Sequence, residues 1–380
     1  MPICAIDFTK AFNRINHNLI ITKLSDMGVP GWLLNILMGF LTDRVMVVRY
    51  KGETSDKRPM PGGGPQGTLL GLLLFLILIN LCGDSHYEGI GKKITKPKKK
   101  FSPSTFHAKF VDDMTIAESF NIKDSVIPDP NRALPDNYHA RLGLKLDPGK
   151  SEVYEKIKQI KDYSNKNEMK LNLGKTKFML FNPTTKYDFV PSLVVDNTEL
   201  ETKEEMKLLG LILRNDLSWK SNTASMVVRA YSKLWMIKRL KGQGANLDDL
   251  TDIYIKQVRS ILEFGVPVWN SGLIQDEVAD IERVQKSFLH IALGHDYCDY
   301  ESALDESNLE MLSTRRTRLC KSFALKTLKH AKHHHWFVKT ELGPNTRSVK
   351  PALKPPLCRL ARFKKSPIPY LTRLLNFKSK

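Results

Sequence analysis

The 380-residue sequence is poor in cysteine, poor in long apolar runs and, over its last seventy residues, almost devoid of acids. Its five cysteines include no C-x-x-C pair, which argues against a disulfide framework and a zinc ribbon and fits a reducing, intracellular setting, nuclear or cytoplasmic. The longest apolar run, Leu69–Ile79, falls well short of the roughly 20 residues that a bilayer span needs, so no membrane segment is expected. The opening stretch MPICAIDFTKAFNRINH has an acid and several cations where a signal peptide needs an unbroken apolar segment. Acids are scarcest in Met311–Lys380, which holds 18 Lys and Arg against Glu341 alone, while the rest of the chain holds 41 basic and 39 acidic residues. A near-neutral body with a basic end is the electrostatic footprint of a polyanion binder, with a solvated tail as the plain alternative.

What is present begins with Lys109-Phe110-Val111-Asp112-Asp113-Met114-Thr115-Ile116, two adjacent carboxylates between residues of strong β preference. Neighbouring acids repel unless water or a cation compensates them, so the pattern predicts a hairpin tip aiming carboxylates at a divalent ion; a solvated turn is the alternative. Upstream, Ile3–Ile6 reads as a buried strand ending on Asp7. A helix is expected from Thr9, with Phe12, Ile15, Leu19 and Leu24 on one face, and a second apolar helix over Trp32–Leu41. Arg44–Lys51 reads as a strand. Pro61–Thr68 is a rigid loop of small residues, with glycines that permit close backbone approach, and it leads into Leu69–Leu81, expected to be buried on every face.

Farther on, Lys150-Ser151 and Lys175-Thr176 close two similar stretches, with a helix over Val153, Ile157 and Ile160 between them. After Trp219 the pattern is helical to the basic end, with Asn246 as an N-cap before Asp248 and Asp249. A β-containing first half followed by a helical second half indicates an α+β fold. Cys320, Cys358 and His330, His333, His334 and His335 have spacings that fit no compact zinc knuckle, so a helical, Lys/His-rich surface is expected there.

In this order, AIDFTKAFNRINH, PGGGPQGTLLGLLLF and FVDD resemble the core motifs of reverse transcriptases from non-LTR (LINE-like) retrotransposons, and the resemblance continues through LNLGKTKFMLF, KLLGLILRNDLSW and YIKQVRSILEFGVPVWN. It implies a right-hand polymerase: an antiparallel palm sheet with packed helices over residues 1–218, a helical thumb over 219–300 and a basic helical segment over 301–380. It implies RNA-directed DNA polymerisation on an RNA template, from a DNA primer or target DNA, with dNTPs and Mg²⁺, Mn²⁺ being an alternative. Carried over residue by residue, Asp7 and Asp112 are the metal ligands, with Asp113 assisting. Phe12 is the gate against a ribose 2′-hydroxyl, although a helix-core role for Phe12 stays open. Pro65, Gln66 and Gly67 contact nucleotide and template. Lys175 neutralises the triphosphate or donates a proton; it is preferred to Lys150 because a helix precedes it and an apolar strand follows. Leu208, Leu209 and Gly210 form the primer grip.

The sequence also departs from the family pattern. Asn13 stands where an acid is common, and Leu72 where a proline is common. The fingers that normally precede Asp7 are expected to be largely missing, as is an endonuclease domain. A catalytically inactive nucleic-acid-binding remnant of a transposable element is therefore the alternative to a working polymerase. A metal-dependent nuclease is a third reading, and no sequence feature favours it.

Overall fold

A computed structural model describes residues 1–9, 11–60, 62–64, 68–80, 105–110, 113–118, 126–128, 144–147, 150–181, 192–331, 333–340 and 353–376. These fall into two compact units, Met1–Leu209 and Gly210–Lys380.

The first unit is built around β1 (Pro2–Ile6). Its side chains are buried on both faces of the sheet, as the near-continuous hydrophobic run PICAI anticipates. A hairpin of β2 (Thr105–Phe110) and β3 (Asp113–Glu118) lies on one side, and β4 (Lys177–Leu180) and β5 (Glu201–Thr202) on the other, in the order β5-β4-β1-β3-β2. β1 is antiparallel to both neighbours, with Ile6 opposite Met114 and Ala5 opposite Lys177; β4 and β5 are parallel.

The unit also holds four helices, α1 (His17–Asp26), α2 (Gly31–Leu41), α3 (Leu69–Asn80) and α4 (Glu152–Lys166); α4 packs on β1 and β3, and α2 and α3 pack on α1. Cys4, Ile6, Met114, Ile116 and Phe178 share a core with Ile20, Leu74, Phe75, Val153, Ile157 and Ile160. Each fully buried Val or Ile of α4 contributes about 1.5–3 kcal/mol by leaving water. Burial also pushes the Cys4 thiol up to about 12, which keeps it protonated and inert at neutral pH. Ser151 begins α4 by accepting from the Tyr154 N–H, and buried Glu118 accepts from the Val153 N–H at 2.9 Å, so strand β3 caps the helix.

Three expectations need correction. The helix after Asp7 begins at His17, where Asn16 caps it by accepting from the Leu19 N–H; Ala11–Arg14 before it is a 3₁₀ turn. Arg44–Lys51 is no single strand but two two-residue pieces, Val45–Met46 and Arg49–Tyr50, each pairing with a different downstream segment. Helix α3 is apolar all round, yet only Leu74, Phe75, Leu78 and Ile79 are fully packed, whereas Leu72 and Leu73 are exposed and Leu69 is 90% exposed. Only one side of the helix is buried in the core, and uniform hydrophobicity does not say which.

The second unit is helical. It comprises β7 (Leu211–Arg214), which follows β6 (Glu205–Leu208) of the first unit, then α5 (Lys220–Gly242), α6 (Leu247–Ile253), α7 (Gln275–Leu293), α8 (Leu312–Lys329) and α9 (Pro367–Asn376), together with several shorter pieces. One hydrophobic core runs from Met226 on α5 to Leu371 on α9. Asn246 caps α6 as its sequence indicates, accepting from the Asp249 N–H at 2.8 Å. Helix α6 then widens into a π-helix over Tyr254–Arg259, where Tyr254 stacks on Phe288 at 4.1 Å and donates to Gln285 Oε1. Cys320 is buried in this core, and its thiol is pushed up to about 11 by desolvation. Among the described residues no helix is long and apolar enough to cross a membrane.

Candidate active site

Asp7 is the first residue past the paired part of β1. Carrying the β1–β3 register one residue beyond Ile6–Met114 brings Asp7 level with the Asp113 backbone. Directly opposed residues of antiparallel strands have Cα atoms about 4.5–5.5 Å apart. The β2–β3 hairpin closes with Phe110 opposite Asp113. Val111 and Asp112 between them lie outside the described residues, as do Pro65, Gln66 and Gly67. Among the described residues no group of three or more His, Cys, Asp or Glu side chains converges to hold a metal ion.

On its other side Asp7 meets the turn Asn172–Thr176. Asn172 N–H donates to the Asp7 carbonyl at 2.8 Å, Thr9 N–H donates to the Lys170 carbonyl at 2.8 Å, and Phe8 bridges to Leu171. Asp7 N–H points at Thr176 Oγ1, 3.4 Å away, and that hydroxyl donates to the Asn172 carbonyl at 2.8 Å. Lys175 stands exposed on the turn, its N–H shared between the Asn172 carbonyl and Oδ1. Helix α4 precedes it and β4 follows, the context that distinguishes Lys175 from Lys150; Lys150 lies just before α4 and is exposed. Thus the fold brings Asp7, the Asp113 backbone and the Lys175 turn together around the end of β1.

Phe12 is half-buried and its ring stacks on Phe75 of α3, with centroids 4.3 Å apart, so it packs against the core. Gly63 and Gly64 of this loop serve the close approach that the sequence suggests, and what they approach is the protein's own backbone. Gly63 N–H donates to the Ile15 carbonyl at 2.9 Å and Gly64 N–H to the Phe12 carbonyl at 2.8 Å, while His17 Nε2 lies 2.9 Å from the Gly63 carbonyl. Gly63 has φ +90°, and a Cβ there would stand 3.2 Å from the Asn13 carbonyl oxygen. Replacing Gly63 with Ala is therefore expected to cost about 2 kcal/mol, from left-handed strain plus backbone crowding. Urea unfolding of the two proteins checks it, and an unchanged midpoint would count against this docking.

Leu209 and Gly210, between β6 and β7, both have positive φ, 47° and 88°. That is the pattern of a two-residue type I′ turn. At Gly210 a side chain is disfavoured by the positive φ, and a Cβ would also stand 2.9 Å from the exposed Phe264 ring, which would have to shift.

Sequence reasoning missed Asn172, Thr176, His17 and the docking of Gly63 and Gly64 on residues 12–15. The one available signal was chemical: Asn and Thr near a turn bond readily to local backbone.

A family model described as reverse transcriptase (RNA-dependent DNA polymerase) matches residues 2–213. A probable RNA-directed DNA polymerase from transposon BS of Drosophila melanogaster is 22% identical over 268 residues, covering 70% of this chain and 26% of the relative. The chain thus spans about a quarter of that relative's length. Two solved telomerase structures are also similar. That from Candida albicans is 12% identical with a TM-score of 0.32, and that from Candida tropicalis 10% identical with a TM-score of 0.38; each match covers 88% of this chain and 48% of the other.

Proposed function

The chain belongs to the reverse transcriptase (RNA-dependent DNA polymerase) family, which makes it kin to nucleotidyltransferases, and we propose that it is the polymerase core of a non-LTR retrotransposon, extending a DNA primer on an RNA template from dNTPs. The observation that carries this reading is the convergence at the end of β1, with Asp7 level with the Asp113 backbone on one side and joined to the Lys175 turn on the other.

The donor chemistry fits Mg²⁺: Asp7 is a half-buried, strand-end carboxylate, and hard oxygen ligands of this kind suit that ion. Asp7 and Asp112, with Asp113 beside them, would hold two ions, with Mn²⁺ as a substitute. The pair supplies charge neutralisation for the attacking 3′-hydroxyl and the departing pyrophosphate. Lys175 adds a mobile cation, or a proton, near the triphosphate. The Phe12 ring, held by Phe75, stands as the gate under the sugar, and its core packing is what keeps it in place. Pro65, Gln66 and Gly67 are assigned to nucleotide and template, and Leu208, Leu209 and Gly210 to the primer end. The division into palm, thumb and basic segment follows the same reading.

Primer extension with Mg²⁺ and dNTPs on matched RNA and DNA templates tests the proposal. RNA-templated extension supports it. Salt-sensitive binding without extension under any metal condition would favour a binding remnant instead.

The basic end supplies a second measurable expectation. Arg359, Lys364 and Lys365 are exposed in a stretch without acids, and Arg362 is tied to the Asp216 carbonyl at 2.8 Å. Changing Arg359, Lys364 and Lys365 together to Gln is expected to flatten the plot of log affinity against log salt by about 2 to 3, close to one counterion per charge. Fluorescence anisotropy with a labelled duplex, from about 50 to 200 mM KCl, reads this slope.

A further inference from the structure

We infer that Thr176 is a positioning residue for the Asp7 carboxylate, acting as a side-chain replacement for a ladder bond that the sheet cannot make. This rests on the metal-binding reading of Asp7 given above. The β1–β4 ladder ends at Ala5 opposite Lys177. Beyond it the chain leaves strand geometry to make the Asn172–Thr176 turn that displays Lys175. The backbone of Asp7 would there lose the partners that hold the rest of β1, and a strand end with unpaired amides frays.

The turn makes up the loss. Its Asn172 N–H takes the Asp7 carbonyl, and Thr176 Oγ1 receives the Asp7 N–H. Thr176 is completely buried, and its hydroxyl proton is committed to the Asn172 carbonyl, so its lone pairs are turned toward Asp7. The bond to Asp7 N is long, at 3.4 Å, but the 2.8 Å bond to the Asp7 carbonyl holds the same residue through its following peptide. One buried hydroxyl therefore links the residue that bears the carboxylate to the turn that bears the cation. Displacement of the Lys175 turn is transmitted to Asp7 through two hydrogen bonds and no flexible side chain. Metal-site partners that act through a ligand in this way typically contribute about 10- to 100-fold in affinity.

The test uses the full chain with Mn²⁺ as probe, its binding read by electron paramagnetic resonance and its concentration dependence by primer extension. Thr176→Val, which keeps the shape and removes the hydroxyl, is expected to weaken Mn²⁺ binding about 10-fold. It should raise by a similar factor the Mn²⁺ needed for half-maximal extension, with primer–template affinity unchanged. Thr176→Ser, which restores the hydroxyl, should return both to within about 2-fold of the parent. Thr176→Ala, which also removes the hydroxyl without placing a second methyl beside the Asn172 carbonyl, carries the same expectation and keeps the test alive if Thr176→Val does not fold. If Thr176→Val lowers only the melting temperature while Mn²⁺ affinity stays put, the hydroxyl is merely structural and the inference fails. Asp7→Asn separates the two levels: loss of Mn²⁺ binding there with none in Thr176→Val sinks this inference alone, whereas no loss in Asp7→Asn sinks the metal reading beneath it.

Discussion

Replacing Asp7 with Asn is expected to reduce Mg²⁺-dependent extension on an RNA template by about 100- to 1,000-fold, a loss of the size seen when a single preorganised charge-stabilising group is removed. The change is nearly isosteric, and Asp7 is held through its backbone by Asn172 and Thr176, so the surrounding fold has no reason to move. Thermal unfolding should therefore stay within about 1 kcal/mol of the parent, as for substitutions that disturb no packing. Binding to primer–template, measured without nucleotide, should also persist. That combination separates a catalytic carboxylate from a structural one. An Asp7→Asn protein that extends as well as the parent would remove the basis of the proposed function, whatever the family of the chain.

The largest stability effect is expected at Trp269. It is the largest side chain among those fully buried, and it lies in the core of the helical unit, with Nε1–H donating to the Phe264 carbonyl at 2.8 Å. That bond folds the Phe264–Gly265 turn, left-handed at Gly265, back against the helices. Trp269→Ala removes the ring, the hydrogen bond and the turn's anchor together, and should cost about 3–5 kcal/mol. Trp269→Phe keeps most of the volume and should cost less, the remainder being the orphaned carbonyl and a smaller void. Trp235, 59% exposed with Arg239 over its ring at 5.7 Å, is the control, and its loss should stay within about 1 kcal/mol. Urea denaturation followed by circular dichroism ranks the three. Equal losses at Trp269 and Trp235 would mean that the core described here is not the one that holds the unit.

Much of this architecture could be read from residues alone, where local chemistry decides. The strand ending at Asp7, helix α4 with its Val153, Ile157 and Ile160 face, the Asn246 cap and the turn at Phe264–Gly265 all announce themselves by period or by turn residues. What stayed hidden depends on partners far along the chain. Nothing near Leu69 says that this end of an all-apolar helix faces outward, because the core it would join is assembled from strands at residues 2–6, 105–110, 113–118, 177–180 and 201–202. Nor does the segment 254–259 advertise its π turn, which is coupled to the meeting of Tyr254 with Phe288 and Gln285. At the end of β1 the sequence named the charged groups and missed Asn172 and Thr176. Asp7 and Lys175 could be proposed from their motifs, while Thr176, which joins them, has an ordinary side chain whose role exists only once the strands are paired.

The central place of β1 has a consequence for how the protein is made. Its two neighbours in the sheet are β3 and β4, more than a hundred residues further along. During synthesis at roughly 5–20 residues per second, an apolar strand waits about 9–35 s before β4 is available to pair with it. Closing loops of that length before any contact repays the entropy makes folding of this sheet slow. Until then PICAI is an unpaired, β-prone segment, the kind that chaperones hold and that crowds into inclusion bodies. Slower, cooler expression is thus expected to raise the soluble yield of the whole chain.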